Sequence, residues 1–206
     1  GIRRAVVIGH EPSGIVEKVG PGVSIFRPGD RIAVNHTLGC NHCEYCLAGE
    51  TALCSENVGI AAAGFGGDAE YALMPANTCF HLSQELSFIE GTFIACTGAT
   101  VYNALRKLKP SGRDKLVVFG LGPVGLSAVL VGKALGATIF GVDVIPERLE
   151  MAKMLGVSEV INASETNPIE AVQSLTEGKG VELALETSGS PVAQSDAVDI
   201  LRPQGK

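Results

Sequence analysis

No apolar run in this 206-residue sequence approaches the roughly 18 to 20 residues that a bilayer-spanning helix needs, which argues against a helical membrane span. Positive charge is also in short supply. Sixteen Lys and Arg stand against 22 Asp and Glu, a net charge of −6 that argues against general affinity for nucleic acid or anionic membrane. Tryptophan is absent, and the 26 glycines fall in singles and short clusters between apolar runs, unlike a collagenous or disordered chain. The first residues, GIRRAVVIGHEPSG, hold an apolar core of about four residues, short of the roughly 7–15 of a secretory leader. The expectation is a soluble, cytoplasmic protein. In that reducing setting clustered cysteines are metal ligands or redox groups before they are disulfides.

What is present changes character along the chain. The first third reads as strand- and turn-rich: GIVEKVG, DRIAV and AEYALMP have the pattern of short strands, and Pro-Gly pairs mark turns in PGVSIFRPGD. After a helical stretch in FIEGTFIACTGATVYNALRK, strands and helices alternate: KLVVFG and PVGLSAVLVGKALG, ATIFGVDV and PERLEMAKMLG, SEVINA and NPIEAVQSLTEG, VELALETSG and SPVAQSDAVDILRPQG. Four strand–helix pairs in succession imply parallel strands with crossover helices, a doubly wound α/β sheet. The change of pattern near Cys96 predicts two domains, 1–96 and 97–206.

The second half opens on Gly120-Leu121-Gly122-Pro123-Val124-Gly125, a G-x-G-x-x-G turn between a strand and a helix, with Asp143 lying 18 residues beyond Gly125 at the end of the next strand. In a dinucleotide site the first glycine permits the tight turn, the second lets a pyrophosphate approach the backbone and the third lets the helix pack closely. Pro123 suits the first helical position, where its missing N–H is not needed. The helix N-terminus offers free N–H groups and the positive end of its dipole to phosphate. Asp143 would accept from the adenosine ribose hydroxyls and repel a 2′-phosphate, favouring NAD over NADP. Arg148, in the following helix, is placed in the same coenzyme-binding set. The plain alternative is a glycine-rich turn in some other α/β fold, with a solvated acid at the strand end.

Cys40, Cys43, Cys46 and Cys54 are spaced C-x2-C-x2-C-x7-C, compact enough to surround one tetrahedral Zn²⁺. Four thiolates would close the coordination sphere, making such a site structural. Disulfides and an iron–sulfur cluster are the alternatives the spacing leaves open. Outside the lobe, His10 in GHEPSG and Cys96 in ACTGAT are candidate ligands of a second metal, although each alone also reads as a surface or core residue. Cys79 and the histidines His36, His42 and His81 have no motif around them.

Taken together these segments resemble the zinc-dependent medium-chain alcohol dehydrogenases. The likeness runs through GHEPSGIVEKVGPGVSIFRPGDRIAV, the cysteine lobe, GGDAEYALMP, ACTGAT and GLGPVG with Asp143. It implies a β-rich GroES-like catalytic domain followed by a Rossmann domain. It also implies a structural zinc on Cys40, Cys43, Cys46 and Cys54, and a catalytic zinc on His10 and Cys96, with Glu11 behind the metal as an alternative ligand. Thr100 would pack near the nicotinamide. The implied reaction is hydride transfer between NAD and an alcohol, polyol, aldehyde or ketone, in a homodimer or homotetramer. The family's upstream cysteine ligand, the relay hydroxyl after it and the later Rossmann strands have no counterpart here, so the chain reads as shortened at both ends. That keeps a second reading open, a silent remnant that binds NAD and a structural zinc without turnover. A zinc-independent quinone reductase relative is disfavoured, because such enzymes lack the cysteine lobe and the G-H-E histidine.

Overall fold

The computed structural model describes residues 7–206. The chain divides into two compact units, Gly1–Ala99 and Thr100–Lys206. In the first unit β1 (Ser13–Ile15), β2 (Arg31–Val34) and β5 (Cys79–His81) form an antiparallel sheet in the order β1-β2-β5, with Gly14 opposite Ile32 and Ala33 opposite Phe80. Ala33, Val34, Phe26, Ile60 and Leu82 are its buried apolar residues. Arg31 ties the sheet to the following segment by donating to the carbonyls of Ser83 and Leu86, both at 2.6 Å, and by lying over the Phe88 ring. A small ladder, β3 (Thr37–Leu38) with β4 (Val58–Gly59), brackets the cysteine lobe and its short helix α1 (Glu44–Leu47).

AEYALMP departs from its sequence pattern. It forms no strand with any other described residue, and Tyr71 and Leu73 are exposed. Alternation marks a segment able to pair but does not supply the neighbouring strand that makes the ladder. The predicted helix from Phe88 is also broken up. It comprises α2 (Phe88–Phe93), a π-helical turn over Ile94–Gly98 and α3 (Ala99–Leu108). Ser87 caps α2 reciprocally with Glu90, so the helix start is fixed by local chemistry.

The second unit follows the alternation read from the sequence. It contains β6 (Lys115–Phe119), α4 (Pro123–Ala134), β7 (Thr138–Asp143), α5 (Pro146–Met154), β8 (Glu159–Asn162), α6 (Pro168–Leu175), β9 (Leu183–Glu186) and α7 (Pro191–Asp199). The strands are parallel in the order β8-β7-β6-β9. Because side chains alternate along a strand, Leu116 and Val118 enter one core with Leu121, Val129, Ile139 and Leu149, while Val117 and Phe119 enter another with Phe140, Val142 and Ile200. Both faces of β6 are therefore sealed, as its unbroken apolar run requires. From β6 the chain steps out through β7 to β8 and then returns to β9 on the other side of β6. The strand order reverses at the C-terminal end of β6, the place where an open α/β sheet leaves a crevice for ligands.

Candidate functional site

The glycine turn lies at that reversal. Gly120 adopts φ +81, and a Cβ there would come within 2.7 Å of the Ser188 backbone nitrogen, so both conformation and space demand glycine. A Cβ on Gly125 would collide with the carbonyl of Gly120. A Cβ on Gly122, in contrast, would meet no other described residue within 4 Å, and Gly122 caps α4 without a side-chain hydrogen bond. The first turn of a twelve-residue helix thus presents open space, with Pro123 at its start and Val124 beside it. This is the room and the polarity a pyrophosphate needs. Thr187, after β9, closes the far side by donating to the carbonyls of Phe119 at 2.9 Å and Gly120 at 2.7 Å.

Asp143 ends β7 almost fully buried. One carboxylate oxygen accepts from the Leu121 N–H at 2.6 Å, inside the glycine turn, and the other from Val144 and Ile145 at 2.7 and 2.9 Å. Arg148 approaches the same carboxylate at 3.6 Å from α5. A carboxylate offers about four acceptor sites, so three are committed to backbone before any ribose arrives. Asp143 is a brace for the turn as well as the acid beside it, a role its sequence position does not disclose.

In the first unit, ligand atoms of His10, Glu11 and Cys96 lie within 4.8 Å of one another. His10 and Glu11 stand just before β1 on a loop held by two bonds, Gly67 N–H to the Gly9 carbonyl at 3.0 Å and Asp68 N–H to the Ile8 carbonyl at 2.9 Å. Gly9 sits at φ +91 with Asp68 against it, leaving no room for a Cβ. Cys96 comes from the π-helical turn, a distortion often found where a helix serves a site. Thr97, in the same turn, donates to Glu11 at 3.1 Å and steadies its carboxylate. Thr100 begins the second unit, on α3.

The four lobe cysteines likewise bring their sulfurs within 4.8 Å of one another, with Cys40 and Cys46 at 4.0 Å. Four sulfurs at about 2.3 Å from one Zn²⁺ would stand about 3.8 Å apart, so the donor set fits the metal. Local backbone dictates this convergence. Asn41 takes φ 64, and a Cβ on Gly39 would press within 2.6 Å of the Cys46 sulfur. The N–H groups of Cys43, Cys46 and Glu56 point at the sulfurs of Cys40, Cys43 and Cys54 at 3.3, 3.5 and 3.4 Å. Backbone N–H groups of His42 and Cys43 draw the Cys40 thiol down to about 6. Burial, with the neighbouring sulfurs, pushes Cys46 up to about 12. A divalent cation held by the four sulfurs would supply the positive charge that a cluster of thiolates calls for.

Three residues without a sequence motif acquire surroundings. His42 and Glu56 lie within 4.8 Å of the Cys40 sulfur, and the hydrogen bond between His42 Nδ1 and the Cys40 carbonyl raises the imidazole above its ordinary value. His36 stands beside His10, with ring centroids 5.8 Å apart and planes at 78°. Its Nδ1 is buried and makes no hydrogen bond with any other described residue. Nothing in VNHTLG marks it as part of a site.

Comparison with known proteins matches residues 2–84 to the alcohol dehydrogenase GroES-like domain and 123–206 to the zinc-binding dehydrogenase domain. An NAD-dependent alcohol dehydrogenase of Sulfurisphaera tokodaii is 38% identical over the whole of this chain, and a sorbitol dehydrogenase of Bacillus subtilis 35%. The chain spans 60% and 58% of their respective lengths. Among solved structures, the alcohol dehydrogenase TADH from Thermus sp. ATN1 superposes with a TM-score of 0.89 at 35% identity, over 97% of this chain and 60% of that one. With both domain types matched in order and relatives alike along its whole length, the chain belongs to the zinc-binding alcohol dehydrogenase family.

Proposed function

We propose that this chain is an NAD-dependent oxidoreductase acting on a small alcohol or polyol, or on the matching aldehyde or ketone, with His10, Glu11 and Cys96 as its catalytic metal ligands. The observation that carries the reading is the convergence of those three donors, from two segments far apart in the chain, within 4.8 Å. A zinc there would act as a Lewis acid on the substrate oxygen while NAD exchanges hydride with the carbon. The chain's own residues do the holding. Thr97 fixes the Glu11 carboxylate, and Gly67 and Asp68 fix the loop that carries His10. Gly120, Gly122, Pro123, Val124 and Gly125 form the phosphate turn, and Asp143 with Arg148 faces the adenosine ribose, with Thr100 on the nicotinamide side.

The relatives named for alcohols and for sorbitol support the substrate class. Cys40, Cys43, Cys46 and Cys54 hold a second, structural zinc, which requires reduced thiols and so suits the cytoplasm. Assembly as a homodimer or homotetramer belongs to the same reading.

Zinc content by elemental analysis, combined with NAD reduction on primary, secondary and polyol substrates, tests it. Two zincs per chain with turnover are expected; one zinc and no turnover would leave the silent remnant standing. Asp143 makes the coenzyme choice testable as well. Binding of NADP as tight as that of NAD would overturn the role given to its carboxylate.

A further inference from the structure

Glycine makes the turn after β6 possible but does not hold it in one conformation, because Gly120 lacks the Cβ that would restrict its backbone. The holding comes from two side chains outside the turn. At one end of the Gly120–Leu121 peptide, the Leu121 N–H donates to Asp143 at 2.6 Å; at the other, the Gly120 carbonyl accepts from the Thr187 hydroxyl at 2.7 Å. Asp143 ends β7 and Thr187 follows β9, so one peptide plane is held from both strands that flank β6. Thr187 is itself fixed. Its N–H donates to the Phe119 carbonyl at 2.8 Å, which its hydroxyl also reaches at 2.9 Å. The Glu186 carboxylate accepts from the N–H groups of Ser188 and Gly189 at 2.6 and 3.1 Å and so holds the loop on the far side.

Beyond this peptide the chain enters α4. The helix ladder begins with Leu126 N–H on the Gly122 carbonyl at 2.9 Å, and Pro123 carries no N–H. The N–H groups of Val124 and Gly125 therefore precede the ladder, and the aim of that first turn follows from the peptide that leads into it.

We propose that Thr187 is a positioning residue for the coenzyme pyrophosphate: with Asp143, its hydroxyl orients the Gly120–Leu121 peptide so that the first turn of α4 is set before the coenzyme arrives. The assignment rests on the glycine turn being the coenzyme site. A turn that visits the binding conformation only part of the time loses affinity by that fraction. Valine in place of Thr187 keeps the shape but leaves the buried Gly120 without this donor, whereas serine keeps the hydroxyl.

The test titrates wild type, Thr187→Val and Thr187→Ser with NADH, ADP and adenosine, and follows amide exchange of the wild type with and without ADP. Thr187→Val should weaken NADH and ADP about three- to tenfold, the worth of one neutral hydrogen bond, and adenosine, which has no phosphate, much less. Thr187→Ser should recover most of that loss. The Leu121 amide of the free wild type should already be protected, with ADP adding little. Three titration results overturn the positioning role and leave the coenzyme site standing: Thr187→Val binds ADP as tightly as the wild type, it loses adenosine as heavily as ADP, or Thr187→Ser does no better. A Leu121 amide protected only once ADP is added does the same, and needs no variant to fold. A wild type that binds neither NADH nor ADP overturns the coenzyme reading and the role of Thr187 with it.

Discussion

The carboxylate of Asp143 serves three backbone donors and an arginine, and only the ribose role proposed for it is legible in the sequence. The fingerprint gives spacing, and spacing places an acid at the end of β7 without saying which N–H groups turn toward it. Asp143→Asn discriminates between brace and reader. An amide keeps one acceptor but sets a donor opposite another donor, whether at Leu121 or at Val144 and Ile145. Unpairing a buried group costs about 1–3 kcal/mol, so the urea midpoint should fall even without coenzyme. An unchanged midpoint with altered coenzyme preference would confine Asp143 to the ribose. His36 shows the opposite limit. Its sequence neighbours are ordinary, and only the folding of β2 and β3 beside the His10 loop reveals a buried nitrogen with no partner among the described residues.

Among the elements, the alternating strands and helices after Lys115 were readable because each carries its own signal. These are a continuous apolar run for a strand sealed on both faces, and Pro at the helix start in α4, α5, α6 and α7. The π-helical turn at Ile94–Gly98 has no such mark, and AEYALMP carries a strand pattern without a described partner. Both outcomes depend on what lies alongside, which periodicity does not encode. The approach to Cys96 is instead governed by the Ser87 cap, whose Ser-x-x-Glu signature is local. Ser87→Ala should cost about 1 kcal/mol in chemical denaturation. The Ser87 N–H and hydroxyl bonds hold the Glu90 carboxyl below its ordinary value. A lowered folded value means that its contribution is present above the unfolded value, near ~4.3, and is lost as pH falls through the folded one. The stability gap between wild type and Ser87→Ala should therefore narrow on acidification through that window. A gap constant with pH would mean that Glu90 takes no part in the cap.

For the molecule as a whole, the two units draw on different sources of stability. Thr100–Lys206 has two apolar cores flanking a four-stranded sheet, whereas Gly1–Ala99 has short strands and a lobe organised around four sulfurs. Their convergence was legible from spacing, but the N–H groups aimed at the sulfurs depend on the close packing at Gly39 and the left-handed backbone at Asn41. Zinc bound by four thiolates contributes on the order of 10–16 kcal/mol of apparent binding energy, and binding must strip protons from the thiols. With Cys46 pushed up to about 12, zinc affinity should rise with pH across the neutral range, since every proton released favours the complex at lower proton activity. Cys43→Ser removes one donor and the sulfur that accepts from Cys46 N–H. It should lose one zinc per chain, lower the thermal midpoint and speed amide exchange in residues 1–99, while β6, β7 and β9 keep their protection. Chelation of the wild type should reproduce that exchange pattern. If Cys43→Ser keeps its zinc and melts with the wild type, the lobe owes its shape to the turns alone. Equal loss of protection in β6 and β7 would instead show that the metal's contribution extends to the sheet of the second unit.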